Sequence, residues 1–134
     1  MIYALDTNTI SYILNGNAPL AERLDSVIQS GSKVFIPLIV YYEVRRGLLA
    51  KNATSKMNAF LKLCTRLDID GLTIADMNMA ATIYAENKQK GRLIEDTDLL
   101  IAAQCVTHGY VLVTHNIKHF EGIKNLEFED WINA

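Results

Sequence analysis

The chain has 134 residues, half of them hydrophobic, and a net charge of −2. That is enough apolar material for one self-supporting domain over 1–134, while no run approaches the ~20 apolar residues of a membrane span. The charge balance by itself argues against a polyanionic substrate, but acids gathered around a cation would leave the rest of the surface near neutral, so charge does not decide the matter. The N-terminus lacks a basic region followed by a long apolar run, so no secretion signal is expected. Cys64 and Cys105 lie in helix-like apolar context without zinc-ligand spacing, and read as reduced core residues of a cytoplasmic protein.

In chain order, Ile2 to Leu5 reads as a buried strand and Thr7 to Leu14 as a helix. The turn Asn15-Gly16-Asn17 leads into a helix starting near Pro19, a good first-turn residue. Its Leu20, Leu24, Val27 and Ile28 have helical spacing, and Gly31-Ser32 ends it. A second strand spans Val34 to Ile36, and Pro37 is expected to start a helix reaching about Lys51. The next helix, about Thr54 to Thr65, carries Met57, Phe60, Leu61 and Cys64 at i, i+3, i+4 and i+7. Leu67 to Asp70 reads as a half-exposed strand. A helix from about Ile74 to Lys90 follows, with Gly91 as its C-cap. Asp96 or Thr97 is expected to cap the next one, which runs to His108-Gly109. Tyr110 to Thr114 is the clearest interior strand, and a short strand at Leu126 to Phe128 and an exposed-looking Trp131 close the chain. Strands alternating with helices predict a three-layer α/β/α sandwich around a mainly parallel central sheet.

Three acids interrupt apolar runs. Asp6 ends the first strand, Glu43 sits inside Leu38-Ile39-Val40-Tyr41-Tyr42-Glu43-Val44, and Asp98 opens Leu99-Leu100-Ile101-Ala102-Ala103. Ligands of open parallel sheets bind beyond the carboxyl ends of the strands, and all three acids map to that edge. Asp98 shares a helical stripe with Ile101, Ala102 and Cys105, and Glu43 one with Ile39, Gly47 and Ala50. Asp6 as a helix cap, Asp98 in a helix dipole and Glu43 on an exposed face are ordinary readings for each acid alone. They do not explain the shared edge. Buried carboxylates brought together repel unless a cation lies between them, which points to a metal-dependent hydrolase. Magnesium suits an all-oxygen set that keeps waters and bridges to phosphate. His115 and His119, four apart, could form a ligand pair, but their turn context favours a structural or surface role. No Gly-rich phosphate loop is present. The bases form two bands, Arg45, Arg46, Lys51, Lys56, Lys62 and Arg66, then Lys88, Lys90 and Arg92. They could meet phosphates or be solvated helix faces.

The stretches YALDTNTISYIL, IPLIVYYEVRRGLL, GRLIEDTDLLIAAQC and VLVTHNIKHFEGIKNLEFEDW resemble, in order and spacing over essentially the whole chain, the PIN-domain ribonucleases, and closely the VapC-type toxins of toxin–antitoxin modules. The resemblance implies that Asp6, Glu43 and Asp98 hold Mg2+ or Mn2+ for RNA hydrolysis, leaving a 3′-hydroxyl. Many PIN domains carry a fourth acid where this chain has Asn116, a neutral ligand. Asp96 could supply compensating charge, or cap its helix, so one metal is expected rather than two. Thr7, Asn8 and Thr114 are placed to hydrogen-bond the acids or the scissile phosphate, and Arg45, Arg46 or Arg92 to hold the RNA backbone. A single-stranded region such as a tRNA loop fits an unstacked target. The resemblance also implies a homodimer and an antitoxin whose C-terminal segment fills the active-site groove while its other end binds operator DNA. Tyr41, Tyr42, Leu48, Leu49, Phe60 and Leu63 could form an interface or simply pack the core.

Two rivals remain at this level. A receiver-like Mg2+-binding signalling domain would need an acid pair after strand one and a Lys after the last interior strand, where Asp6 is single and His115-Asn116 follows Thr114. A catalytically silent PIN-like binding module would carry the fold without the chemistry.

Overall fold

A computed structural model describes residues 1–132. Five strands, β1 (Ile2–Leu5), β2 (Lys33–Pro37), β3 (Asp68–Asp70), β4 (Val111–Val113) and β5 (Glu127–Glu129), form one sheet in the order β3-β2-β1-β4-β5, every pairing parallel. Seven helices connect them among the described residues: α1 (Thr7–Leu14), α2 (Ala18–Gln29), α3 (Leu38–Ala50), α4 (Thr54–Arg66), α5 (Ile74–Gln89), α6 (Asp96–His108) and α7 (Ile117–Phe120). Right-handed crossovers run outward from β1 through β2 to β3, then reverse to β4 and β5, which puts α1–α4 on one face and α5–α7 on the other. Most helix contacts follow that division, α1 meeting α2, α3 and α4 and α6 meeting α5 and α7, while α3 and α6 also touch each other. The three-layer sandwich is the architecture expected from the sequence. The order 3-2-1-4-5 differs from the 2-1-3-4-5 order of receiver-type sheets, which removes that rival.

The strands fold as they do because each is an apolar run on a sheet covered on both sides. Leu5, Ile36 and Leu112 are fully buried at its centre, with Ile10, Leu20, Leu24, Val40 and Phe60 covering one face. Gln104, also buried, donates from Nε2 to the carbonyls of Asp70 and Gly71 (3.1 and 3.2 Å). That anchors α6 against the end of β3, and with it the position of Asp98. The α5 N-terminus carries a reciprocal cap, Thr73 with Asp76, and buried Asp76 also meets His108 Nε2 at 3.0 Å.

Several expectations are corrected. Pro37 closes β2 and caps α3 rather than starting it. The N-cap of α6 is Glu95, with Asp96 its first helical residue and Thr97 its second. Residues 117–120 form a short helix that the sequence did not announce. Trp131 is buried, its ring edge-on to Tyr3 with centroids 5.3 Å apart. Cys105 is buried but Cys64 only partly so. Of the candidate interface residues, Phe60 and Leu63 belong to the core, whereas Tyr42 and Leu49 are exposed. No helix among the described residues is long and apolar enough to cross a membrane.

Candidate active site

The strand order reverses between β1 and β4, and the chain leaves both strands there at Asp6 and Thr114. The Asp6 amide donates to Val113 O (3.1 Å), which holds the two exits together. Asp6 is 4 % exposed and caps α1, its Oδ1 accepting from the Thr9 amide at 2.8 Å. The capping reading of this residue therefore holds, and the residue also lines a cleft with Glu43 and Asp98. Burial pushes its carboxyl above the ordinary value against hydrogen bonds from Thr114 and Thr9, and the Glu43 charge adds to the rise.

Glu43, on the second turn of α3, receives the Thr7 hydroxyl on Oε1 (2.6 Å) and Arg46 Nη2 near Oε2 (3.6 Å). Asp98, in the first turn of α6, lies 3.1 Å through Oδ2 from His119 Nδ1. Its carboxyl too is raised by burial, opposed by His119 and assisted by Glu95 and Glu43. Each of the outer acids thus feels the charge of Glu43.

Asp6, Glu43 and Asp98 line one cleft of about 170 Å³ together with Thr7, Asn8, Asn116 and, unforeseen, Glu95 and His119. Asp96 is exposed and does not line it; the helix start one residue earlier than expected gives the inward place to Glu95. Thr114 is buried beneath the cleft, where its hydroxyl accepts from the Asn116 amide (3.0 Å). The three arginines separate. Arg92 lines an adjoining space that shares Asp98 with the cleft, Arg46 stays on Glu43 and over the Tyr42 ring (5.1 Å), and Arg45 turns to Tyr41 (5.9 Å to the ring centroid). Positions 43 and 45 are 200° apart on a helix and 43 and 46 are 300°, so helical spacing alone separates Arg45 from the acids.

Among the described residues no three His, Cys, Asp or Glu side chains stand as a ready-made metal site. The donor chemistry nonetheless fits a hard cation. The lining acids offer only oxygen, Asp6 has no cationic side chain paired with it among the described residues, and magnesium takes one or two carboxylates plus waters rather than an all-protein cage.

A PIN domain family profile matches residues 3–125. The chain is 33% identical to Ribonuclease VapC2 of Rickettsia felis over 98% of both proteins. It is 26% identical to the tRNA(fMet)-specific endonuclease VapC of Shigella flexneri, over 96% of this chain and 97% of that one. The fold superposes on the toxin chain of the Rickettsia felis VapBC2 complex bound to promoter DNA with a TM-score of 0.87 and 31% identity, covering 98% of this chain and 99% of that one. The chain belongs to the PIN-domain family and, within it, to the VapC ribonucleases of toxin–antitoxin systems.

Proposed function

We propose that this protein is a Mg2+- or Mn2+-dependent endoribonuclease toxin, with Asp6, Glu43 and Asp98 as both metal ligands and catalytic residues. The observation that carries the reading is one cleft at the β1/β4 switch point lined by all three acids, two of them with carboxyls raised by burial and by Glu43. When bound, the cation supplies charge neutralisation at the phosphate and acidifies a water for attack. Glu43, whose partners are the Thr7 hydroxyl and Arg46 rather than backbone amides, orients that water and accepts its proton. Thr7 fixes the Glu43 carboxylate, and Asn8 and Asn116 offer neutral polar groups to the scissile phosphate. In-line displacement leaves a 3′-hydroxyl on the upstream fragment.

The substrate is RNA with an accessible single-stranded loop, and tRNA is the first class to test, in view of the Shigella relative's name. Kinship with toxin chains solved in VapBC complexes supports a cognate antitoxin that occupies the cleft, contact with operator DNA only through that antitoxin, homodimerisation, and action in the cytoplasm. Asp6→Asn and Asp98→Asn should each keep the far-ultraviolet circular dichroism of the parent and lose cleavage of a tRNA pool by at least about a hundredfold, the scale of removing one electrostatic catalytic group. Parent-like cutting by either variant would remove the assignment.

A further inference from the structure

The cleft does not end with the acids. On the α1–α3 side it continues into a groove of about 250 Å³ that shares Thr7 and Glu43 with it and is bordered by Lys51 and Lys56. On the α6–α7 side it continues into another of about 250 Å³, which shares Glu95, Asp98 and His119 and is bordered by Arg92 and Lys118. Lys51 lies eight residues beyond Glu43 along α3, roughly 12 Å at the helical rise. None of these four cations is in an ion pair among the described residues, and Lys51, Lys56 and Lys118 are exposed.

We propose that the three spaces form one track for a single strand of RNA. Lys51 and Lys56 hold phosphates on one side of the cut, Arg92 and Lys118 hold them on the other, and the scissile phosphate lies at the acids between. This rests on the nuclease reading above and adds to it where the strand runs. The electrostatics require such a layout. An acid centre repels a polyanion, so the strand must be gripped at a distance from the centre and on both sides of it, by cations that track the backbone. Leu14, Val44 and Leu48 give the first groove an apolar wall suited to base faces. Gly47 lines that groove, and a Cβ there would project into open space with nothing within 4 Å.

The test is fluorescence anisotropy of a short labelled single-stranded RNA bound to the full chain in EDTA over a series of salt concentrations, so that binding is read apart from cutting. Lys51→Ala with Lys56→Ala, and Arg92→Gln with Lys118→Ala, should each weaken binding about fivefold or more and flatten the log–log salt slope by about 1.4, at ~0.7 per lost single-strand phosphate contact. Arg92 also donates to the Lys118 carbonyl (2.6 Å), so Lys118→Ala alone provides a variant without that loss; it should show half the change in slope. Lys33→Ala, at the opposite edge of the sheet, should leave the slope as it is. Gly47→Leu should hold or raise the parent's melting temperature, since Gly is a poorer residue than Leu inside a helix, and still weaken binding. Parent-like affinity and slope in either double variant would overturn the track, whether or not RNA is cut. Unchanged RNA binding with lost capture of an acidic peptide would overturn it as well, and assign the groove to a protein partner. Weakened binding in both double variants, with no RNA cut by the parent under Mg2+ or Mn2+, would keep the track and remove the nuclease reading.

Discussion

Asp6 is held by the Thr9 amide and by Thr114, yet burial outweighs both and sets how the residue behaves on titration. Burial raises its folded carboxyl above the unfolded value of 3.8, and that of Asp98 likewise. The folded state therefore holds these protons to higher pH than the unfolded chain does. Their contribution to stability is most favourable below the unfolded value and declines as pH rises through the folded one. In chelator, the full cost of two buried charges is present once pH lies above both folded values. Asp6→Asn keeps a good helix cap and removes one of them. Its denaturation midpoint in urea should exceed the parent's at pH 7, and the advantage should shrink as pH falls towards 4. An advantage that grew on acidification would show that the Asp6 carboxyl is not held above its ordinary value.

Elements carry the site more firmly than their lengths suggest. β5 and the segment after it are short, yet they are tied down by Trp131, which packs on Tyr3 of β1, donates from Nε1 to Glu129 Oε1 (3.1 Å) and lies under Arg23 at 5.8 Å. β1 in turn ends in Asp6. Trp131→Ala opens a cavity at the junction of that edge with α2 and should cost about 3 kcal/mol, the lower end for losing a buried large aromatic, measured by urea unfolding. Loss below about 0.5 kcal/mol would mean that the edge is held by its backbone ladder alone. The apolar stripe of α6, Leu99, Ile101, Ala102 and Cys105, is buried as a unit, so Asp98 enters the cleft because its own helix face cannot turn away. Burial also pushes the Cys105 thiol up to about 12, which keeps it protonated and inert near neutrality.

At the scale of the molecule, the sheet reversal between β1 and β4 brings together acids from α1, α3 and α6 that are distant in sequence. Each is held by a separate donor, Thr9, Thr7 or His119; Glu43 and Asp98 also lie beside Arg46 and His119 respectively, while Asp6 has no cationic side chain paired with it among the described residues. Mg2+ or Mn2+ at a hundred times its dissociation constant should stabilise the parent by about 2.7 kcal/mol. Differential scanning fluorimetry should show the corresponding rise in melting temperature in the parent and little of it in Asp6→Asn. Equal shifts in the two proteins would place the ion elsewhere.

The sequence by itself determined the strands, six of the seven helices among the described residues, and the edge on which Asp6, Glu43 and Asp98 lie. Those features are written in local periodicity, which a run of a dozen residues is long enough to display. Arg45, grouped with Arg46 and Arg92 on sequence, turns to Tyr41 instead, a separation that follows from helical spacing. Tertiary structure alone decided that Glu95 and His119 join the cleft while Asp96 stays outside. A cap position shifts by one residue with the packing of the turn before it, and the four-residue α7 that presents His119 is too short to form without the body it rests on. Trp131 was misjudged for the same reason: its burial depends on Tyr3, 128 positions away, and no local pattern records a contact across that distance.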